Sequence, residues 1–402
     1  RYSARDLAVF RARDRGIPIV LGSATPSLES WANASGSDTS GRYRLLTLRG
    51  RAVDGARLPL VRCIDTRVDK PRDGLSSTLL LAIEQRLARA EQSLVFLNRR
   101  GYAPVLACAA CGWSSSCQRC AAHLVLHLAD RRLRCHHCGY ETRVPKTCPT
   151  CGNQDLGAFG RGTQRIEVAL AERFPQARIL RVDRDSASSR KQWEAVVETI
   201  QNGAADILVG TQMLAKGHDF PKLTLVGAVA PDAALFAADW RAPERLFAQL
   251  MQVAGRAGRA ERPGEVLIQT QYPDHPIYQA LVRHDYPAFA AAQLGERQQA
   301  GFPPYAYQAM LRAEAPRMAD ALSFLAAARA CSLHDDSHSV TFYDPVPMRL
   351  SRRASLERGQ LLVESSSRRA LQRFLGVWVT QVEAIRAPSR LRWHLEVDPL
   401  EF

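Results

Sequence analysis

Short apolar runs separated by amphipathic stretches mark most of the chain. Residues 94–97, 179–182, 207–209, 225–230 and 266–270 are such runs, and each reads as a buried strand. Residues 17–21 form a similar run ending at Gly22 and predict one more strand. Helical patterns lie between several of them, as at 165–174 and 191–202. Strands alternating with helices predict an α/β unit with a parallel sheet and helices on both faces. In such sheets ligands gather at the carboxyl ends of the strands. Residues 31–41, rich in Ser, Gly and Asn, predict a loop.

The pattern changes twice. A block of cysteines interrupts it between the runs at 94 and 179, which predicts an inserted module. Past Tyr272, strands are expected at 305–313, 341–343, 360–364 and 391–397, with helices near 319–331 and 368–384. The order strand-helix-strand-strand-helix-strand predicts a small α+β domain. At 402 residues the chain is too long for one ordinary core, so two to four domains are expected. No run of about 18 apolar residues occurs, so no membrane span is predicted. The basic, polar first 15 residues do not read as a signal peptide. They lack an initiator Met and begin inside a helical pattern, which points to a longer parent.

Lys plus Arg outnumber Asp plus Glu by 54 to 40, a net charge of +14. That balance fits a polyanionic partner, nucleic acid first, and fits equally a soluble protein of Arg-rich composition. Ten cysteines are present, and eight fall into four CxxC pairs: Cys108/Cys111, Cys117/Cys120, Cys135/Cys138 and Cys148/Cys151. Close CxxC pairs in a large chain point to metal rather than disulfides, hence to a reducing compartment, the cytoplasm. Zinc prefers four thiolates in a tetrahedron, and CxxC presents two from one tight turn. Residues 123–128 and 133–134 can form a hairpin with its turn at 129–132, bringing the second and third pairs together. The first and fourth pairs then share the other zinc. A redox CxxC is the alternative, and four copies argue against it. Eight thiolates complete two sites, so His123, His127, His136 and His137 are expected at the surface or against phosphate. Cys63 and Cys331 stand alone and read as packing residues.

Gly22-Ser23-Ala24-Thr25-Pro26-Ser27 follows the first run. Its small hydroxyls, Ser23 and Thr25, can relay a change at a nucleotide by hydrogen bonding; a plain strand-to-loop turn has the same composition. Residues 206–221 read DILVGTQMLAKGHDFP. The strand delivers Thr211 and Gln212 to its carboxyl end, where a hydroxyl and an amide can hold a nucleic-acid phosphate. Gly217 permits close backbone approach, and Asp219 can accept a ribose hydroxyl; a buried strand ending in an ordinary polar loop is the bland reading of each residue taken singly. Residues 249–259 read QLMQVAGRAGR. Pro243 suits the first turn of a helix, and Arg245, Gln249, Gln252 and Arg256 share one face of it. Gly255 and Gly258 loosen its end, so Arg256 and Arg259 can stabilise charge on a γ-phosphate. A solvated Arg/Gln face is the bland reading. Arg99 and Arg100, beside Tyr102, can grip a backbone and stack a base; a surface charge pair is the alternative. The basic stretch 349–358 reads as a solvated loop, or as a DNA contact through Arg352 and Arg353.

Together these blocks resemble superfamily 2 helicases, and most of all the replication restart helicases of the primosomal protein N-prime family. The residues that carry the resemblance are GSATPS at Gly22, FLNRRGYAP at Phe96, the four CxxC pairs and GTQMLAKGHDFP at Gly210, then QVAGRAGR at Gln252 and FPPY at Phe302. VDPL at Val397 fits the family's natural C-terminus. The resemblance implies a RecA-like parallel-sheet helicase lobe with an inserted two-zinc module and a small C-terminal α+β domain. The implied boundaries are 1–50 for the end of lobe 1, 51–107 with 152–272 for lobe 2, 108–151 for the zinc insertion and 273–402 for the C-terminal domain. It implies ATP-driven 3′-to-5′ unwinding at stalled forks and primosome assembly. The implied partners are forked and single-stranded DNA, primosome proteins, single-stranded DNA-binding protein and the loading factors of the replicative helicase. Ser23 and Thr25 then belong to the coupling motif, and Thr211 and Gln212 contact the strand. Gly217, Asp219, Arg256 and Arg259, with Gln252, form the second lobe's side of the ATP site. The family's zinc pairing, outer with outer and inner with inner, agrees with the hairpin argument.

The chain departs from the family's motor pattern in several respects. No GxxxxGK[ST] loop and no DExH box occur in it, so ATP and Mg²⁺ are expected to need the full-length parent. Asp335-Asp336-Ser337-His338 imitates the box, but no motor strand leads into it. Gln164 stands where the family pattern has an acidic residue. The chain alone is therefore expected not to hydrolyse ATP. A non-catalytic zinc-containing module that binds nucleic acid or a partner is the rival reading. A zinc-ribbon protein of transcription or tRNA modification is a third, and it leaves the GRAGR helix unexplained.

Overall fold

The computed structural model describes residues 3–35, 43–48, 58–97, 105–108, 110–119, 122–127, 132–135, 138–154, 156–159, 162–182, 189–211, 213–214, 220–236, 239–258, 263–331 and 339–400. Helices α1 (Ala4–Asp14) and α2 (Leu28–Ser35) come first, then β1 (Leu60–Asp65), α3 (Ser77–Ala88) and β2 (Gln92–Leu97). Five short strands follow: β3 (Val105–Cys108), β4 (Val125–His127), β5 (Arg132–Arg134), β6 (Glu141–Arg143) and β7 (Leu156–Phe159). Next are α4 (Gly162–Arg173), β8 (Ile179–Val182), α5 (Arg190–Gln201), β9 (Ile207–Gly210), β10 (Leu223–Val229), α6 (Ala242–Ala254) and β11 (Glu265–Thr270). After α7 (Pro276–Val282) and α8 (Tyr286–Ala300) come β12 (Tyr307–Ala315), α9 (Met318–Ala330), β13 (Thr341–Phe342), β14 (Val346–Arg353), β15 (Leu356–Ser365), α10 (Arg368–Ala384) and β16 (Arg392–Val397).

The chain divides into two compact units. One comprises Thr25–Ala103 and Gly160–Leu294. Its six-stranded sheet has the order β1-β11-β10-β2-β9-β8, and every pairing is parallel. The strands are near-continuous apolar runs because both faces are covered. Leu94, Phe96, Leu208 and Val226 face one core, shared with Leu246, Phe247 and Leu250 of α6. Val95, Leu97, Ile207 and Val209 face the other, with Leu79 and Ile83 of α3 and Ile166 and Leu170 of α4. Caps fix where the helices start. The Ser189 hydroxyl and the Gln192 side chain close a capping box on α5. At α3 the Asp69 carboxylate accepts from the N–H groups of Ser77 and Thr78 and from the Ser77 hydroxyl. Partial burial raises its pKa, but these bonds outweigh that and hold it well below the usual carboxylate range.

The other unit comprises Arg1–Ala24, Pro104–Phe159 and Gly295–Phe402. It contains a small sheet ordered β6-β5-β4-β3-β7, all antiparallel where paired. It also contains an antiparallel sheet ordered β13-β15-β12-β16, with β14 paired to β15. Alternate residues Ala309, Leu311 and Ala313 of β12 join Phe324 and Leu325 of α9 and Leu371 and Trp378 of α10 in one core. The Trp378 indole N–H donates to the Ala328 carbonyl at 2.8 Å. The β14–β15 turn touches the cysteine module, where the Ser355 N–H donates to the Arg119 carbonyl at 2.8 Å.

Three expectations are corrected. Residues 17–21 form no strand, and Ile17, Ile19, Val20 and Leu21 are exposed. An apolar run becomes a strand only where a neighbour completes its ladder, and no described strand flanks this one. The loop expected from Trp31 is helical as far as Ser35, because Leu28 is buried and anchors α2. The basic stretch 349–358 is not a loop: it belongs to the β14–β15 hairpin, whose turn residues Ala354 and Ser355 both have positive φ. Within it Arg358 is buried and pairs with Glu314 at 2.9 Å.

Candidate metal centres and motor edges

The four sulfurs of Cys108, Cys111, Cys148 and Cys151 lie within 4.8 Å of one another. Cys117, Cys135 and Cys138 gather in the same way, and their expected fourth partner, Cys120, lies outside the described residues. Sulfur pairs stand 3.6 Å (Cys108/Cys151), 3.5 Å (Cys111/Cys148) and 3.7 Å (Cys117/Cys138) apart. A disulfide would bring them to about 2.0 Å. A tetrahedron with arms of about 2.3 Å has edges of about 3.8 Å, so the spacing fits zinc. The outer pairs share one cluster and the inner pairs the other. The inner one follows from the β4–β5 hairpin, in which Val125, Leu126 and His127 oppose Arg134, Leu133 and Arg132.

One turn is repeated at three of the pairs. The Gly112 N–H donates to Cys108 O, that of Gly139 to Cys135 O and that of Gly152 to Cys148 O, each at 2.9 Å. All three glycines have φ between 73° and 75°, a conformation that strains any side chain, so C-x-x-C-G is the local signature of the fold. The backbone N–H of Cys111, joined by that of Ala110, brings the Cys108 thiol down to about 6. The Trp113 N–H lowers Cys111, but burial and then the surrounding sulfurs of Cys151, Cys148 and Cys108 raise it to about 12. Four thiolates this close therefore need a cation to ionise together. The Asn153 side-chain amide approaches Cys108 Sγ at 3.8 Å, a contact outside the cluster that cysteine spacing does not reveal. His123 is exposed and lies 3.4 Å from the Ser114 hydroxyl, and the side chains of His127, His136 and His137 lie outside the described residues. Cys63 is raised to about 11, first by burial and then by Asp232 and Asp274, which keeps it a neutral packing thiol.

The parallel sheet separates the motor motifs onto two edges. Thr211 follows β9 and so lies at the carboxyl edge. Helix α6 begins with Pro243 in its first turn and buries Leu246, Phe247, Leu250 and Val253, while Gln252 is exposed and Arg256 half-buried. Its end lies at the amino edge. The Gly258 N–H donates to the carbonyl of Leu223, the first residue of β10, at 2.9 Å. Gly264, just ahead of β11, lies so close beneath this turn that a Cβ there would sit 2.2 Å from the Ala257 carbonyl oxygen. Arg256 thus lies at the amino edge and not at the carboxyl ends, where ligands are expected in such sheets. The helix that follows β10 runs back along the sheet and delivers its last turn to the opposite edge. Phe220, in the described Phe-Pro end of the GHDFP segment, is buried just before that same amino end of β10. Gly217 and Asp219 themselves, with Gln212, Arg259, Arg99 and Arg100, lie outside the described residues, as do 335–338. Ser23 and Thr25 are described and have polar partners.

Two further groups were not legible as motifs. At the carboxyl edge Asp232 accepts from the hydroxyls of Thr270 and Tyr278, both at 2.6 Å, and from the Gln271 N–H at 2.9 Å. At the amino edge Glu265 accepts from Arg86 at 2.7 Å and pairs with Arg62. Their partners lie 38 to 203 residues away in sequence, and no local spacing could have revealed them.

Comparison with known proteins joins these observations. The primosomal protein N C-terminal domain matches residues 298–400, the Cys-rich region domain of PriA DNA helicase matches 117–143, and the helicase conserved C-terminal domain matches 158–261. The replication restart protein PriA of Haemophilus influenzae is 41% identical over 399 residues, covering 99% of this chain and 54% of the relative. The Bacillus subtilis protein of the same name is 42% identical over 315 residues, 77% of this chain and 38% of the relative. That of Synechocystis is 37% identical over 408 residues, 99% of this chain and 48% of the relative. The chain thus spans about half the length of the curated relatives it matches. The solved structure of S. cerevisiae Dbp5 bound to RNA and ADP BeF3 shares 12% identity over 61% of this chain and 46% of its own. Its TM-score of 0.29 is too low to add to the argument. A cysteine module of this design, inserted in sequence between the strands of a parallel-sheet helicase lobe, with sequence identity along nearly the whole chain, places the chain in the PriA family of replication restart proteins.

Proposed function

We propose that this chain is the second motor lobe, zinc module and C-terminal domain of an ATP-dependent DNA helicase that unwinds 3′ to 5′ at stalled forks and restarts replication through primosome assembly. One observation carries the motor reading: a single sheet presents Thr211 at its carboxyl edge and Arg256 at its amino edge. A lobe that must hold a strand and sense a nucleotide needs two such places. In this reading Thr211 and Gln212, with Arg99 and Arg100, hold the strand. Arg256 and Arg259, with Gln252, Gly217 and Asp219, meet the γ-phosphate and ribose, and Ser23 and Thr25 couple the two. Residues 1–50 end the first lobe, 51–107 and 152–272 form the second, 108–151 form the zinc insertion and 273–402 the C-terminal domain. ATP with Mg²⁺ is the cofactor of the full-length protein, because none of these 402 residues forms a GxxxxGK[ST] loop. The partners are forked and single-stranded DNA, single-stranded DNA-binding protein, primosome proteins and helicase-loading factors. The compartment is the cytoplasm, and no described helix is long and apolar enough to cross a membrane.

The test compares two purified proteins. The full-length protein is expected to hydrolyse ATP on adding DNA and to separate a duplex beside a 3′ single strand. The 402-residue chain is expected to bind DNA and turn over no ATP. Turnover by the chain alone would overturn the assignment of its missing parts. DNA binding without hydrolysis by the full-length protein would favour a non-catalytic zinc module.

A further inference from the structure

The residues just after the GSATPS segment are held by helices of the parallel-sheet unit. The Leu28 N–H, an otherwise orphan donor at the start of α2, donates to Glu244 Oε1 at 3.1 Å. The Glu29 carboxylate pairs with Arg241 Nη1 at 2.6 Å, with side chains only 20% and 12% exposed. The Arg241 guanidinium also lies over the Trp240 ring, 4.2 Å from its centroid. The Tyr286 hydroxyl donates to the Pro26 carbonyl, and Trp31 sets its ring edge-on to Tyr286 at 5.2 Å. Leu28 itself is fully buried in the core that α6 shares.

Arg241 and Glu244 sit at the first turn of α6, and Arg256 follows its last. A 13-residue helix is a rod of about 20 Å, packed along one face by Leu246, Phe247, Leu250 and Val253. It cannot bend without opening the core, so a displacement at one end reaches the other.

We infer that Glu29, Arg241 and Glu244 are positioning residues: they clasp the segment that follows Thr25 to the head of α6, so that its displacement moves Arg256. The inference rests on the motor reading above. None of the three is required to touch ATP or DNA; they keep hydrolysis and strand movement in step. An ion pair this well shielded is rigid enough for that task, whereas an exposed one would slip.

The experiment uses the full-length protein with Arg241→Ala, Glu29→Gln and the charge-reversed double change Glu29→Arg/Arg241→Glu. Glu29→Gln keeps the volume and a hydrogen bond, so it covers the case in which Arg241→Ala fails to fold. The expected result is a loss of about fivefold or more in base pairs separated per ATP, with kcat and KM for ATP within about twofold of wild type. The double change and Arg241→Lys are expected to recover most of the loss. Hydrolysis and unwinding falling together, or neither changing, overturns the inference. Amide hydrogen exchange supplies a readout free of turnover: Arg241→Ala should speed exchange at 26–31 and also at 254–258. Unchanged exchange at 254–258 overturns the clasp even if the helicase reading stands. Wild type without DNA-stimulated hydrolysis sinks the helicase reading, and exchange still judges the clasp.

Discussion

The parallel sheet and the cysteine module are held together by different forces. The sheet buries its strands on both faces, and β2, β9 and β10 are buried along their whole length. The module has five strands of three or four residues each. Among the described residues its buried side chains are few, chiefly Leu106, Leu124, Leu126 and Leu133 with the cysteines themselves. A core that small cannot offset the entropy of ordering the chain. Thiolates on metal do for the module what apolar area does for the sheet. The difference teaches where each region is vulnerable: one to chelation, the other to an unpaired charge.

The largest effect follows from removing zinc. Structural zinc sites contribute on the order of 10–16 kcal/mol in zinc-finger peptides. Chelation is therefore expected to unfold residues 108–151 while the parallel sheet keeps its protection, as hydrogen exchange with and without chelator can show. Loss of protection in β2, β9 and β10 as well would erase the contrast. Next comes Glu265→Ala, which leaves Arg86 buried with its nearest carboxylate, Glu91, 4.0 Å away. Stranding a buried charge costs about 3–5 kcal/mol. Denaturant unfolding should register that loss with the zinc content unchanged.

Asp232→Ala should cost roughly 2–4 kcal/mol, because the buried Tyr278 and Thr270 hydroxyls lose their acceptor, and Asp232→Asn should recover part of it. Thermal melts of both variants would measure this. The smallest effect is set by pH. Arg178 holds the Asp206 carboxyl below its usual range through two side-chain bonds and one from its backbone N–H. A carboxylate with a depressed folded pKa stabilises the fold above its unfolded value of about 3.9 and loses that contribution as pH falls through the folded value. Asp206→Asn should therefore flatten the acid limb of a Tm-against-pH curve below about pH 4, and leave neutral pH lower by only about 0.5–1 kcal/mol.

Much of the fold was legible because apolar runs and cysteine spacing are local signals. Five of the six parallel strands, the inner-zinc hairpin and α10 at 368–384 were all readable from such patterns. Strand β1 escaped because LVRCID alternates burial at the sheet's edge, with Arg62 and Asp65 breaking the apolar run. The run at 17–21 misled for the converse reason: its composition is that of a strand, but no described neighbour pairs with it. β14 was hidden by its charges, since an edge strand tolerates arginines that read as a loop. The clasp at Glu29 and the node at Asp232 depend on contacts across hundreds or tens of residues, which spacing does not encode. The edge on which Arg256 lies needed the path of α6 over the sheet.

The separation of the two edges is tested most directly by changing one residue on each in the full-length protein and measuring ATP turnover and DNA affinity side by side. Arg256→Ala is expected to cut DNA-stimulated turnover by about a hundredfold or more with DNA affinity nearly unchanged, as loss of an arginine finger does. Thr211→Ala is expected to weaken DNA binding severalfold, with turnover recovered at saturating DNA. If either change alters both quantities in proportion, or if Arg256→Ala leaves turnover intact, strand and nucleotide do not occupy opposite edges of this sheet.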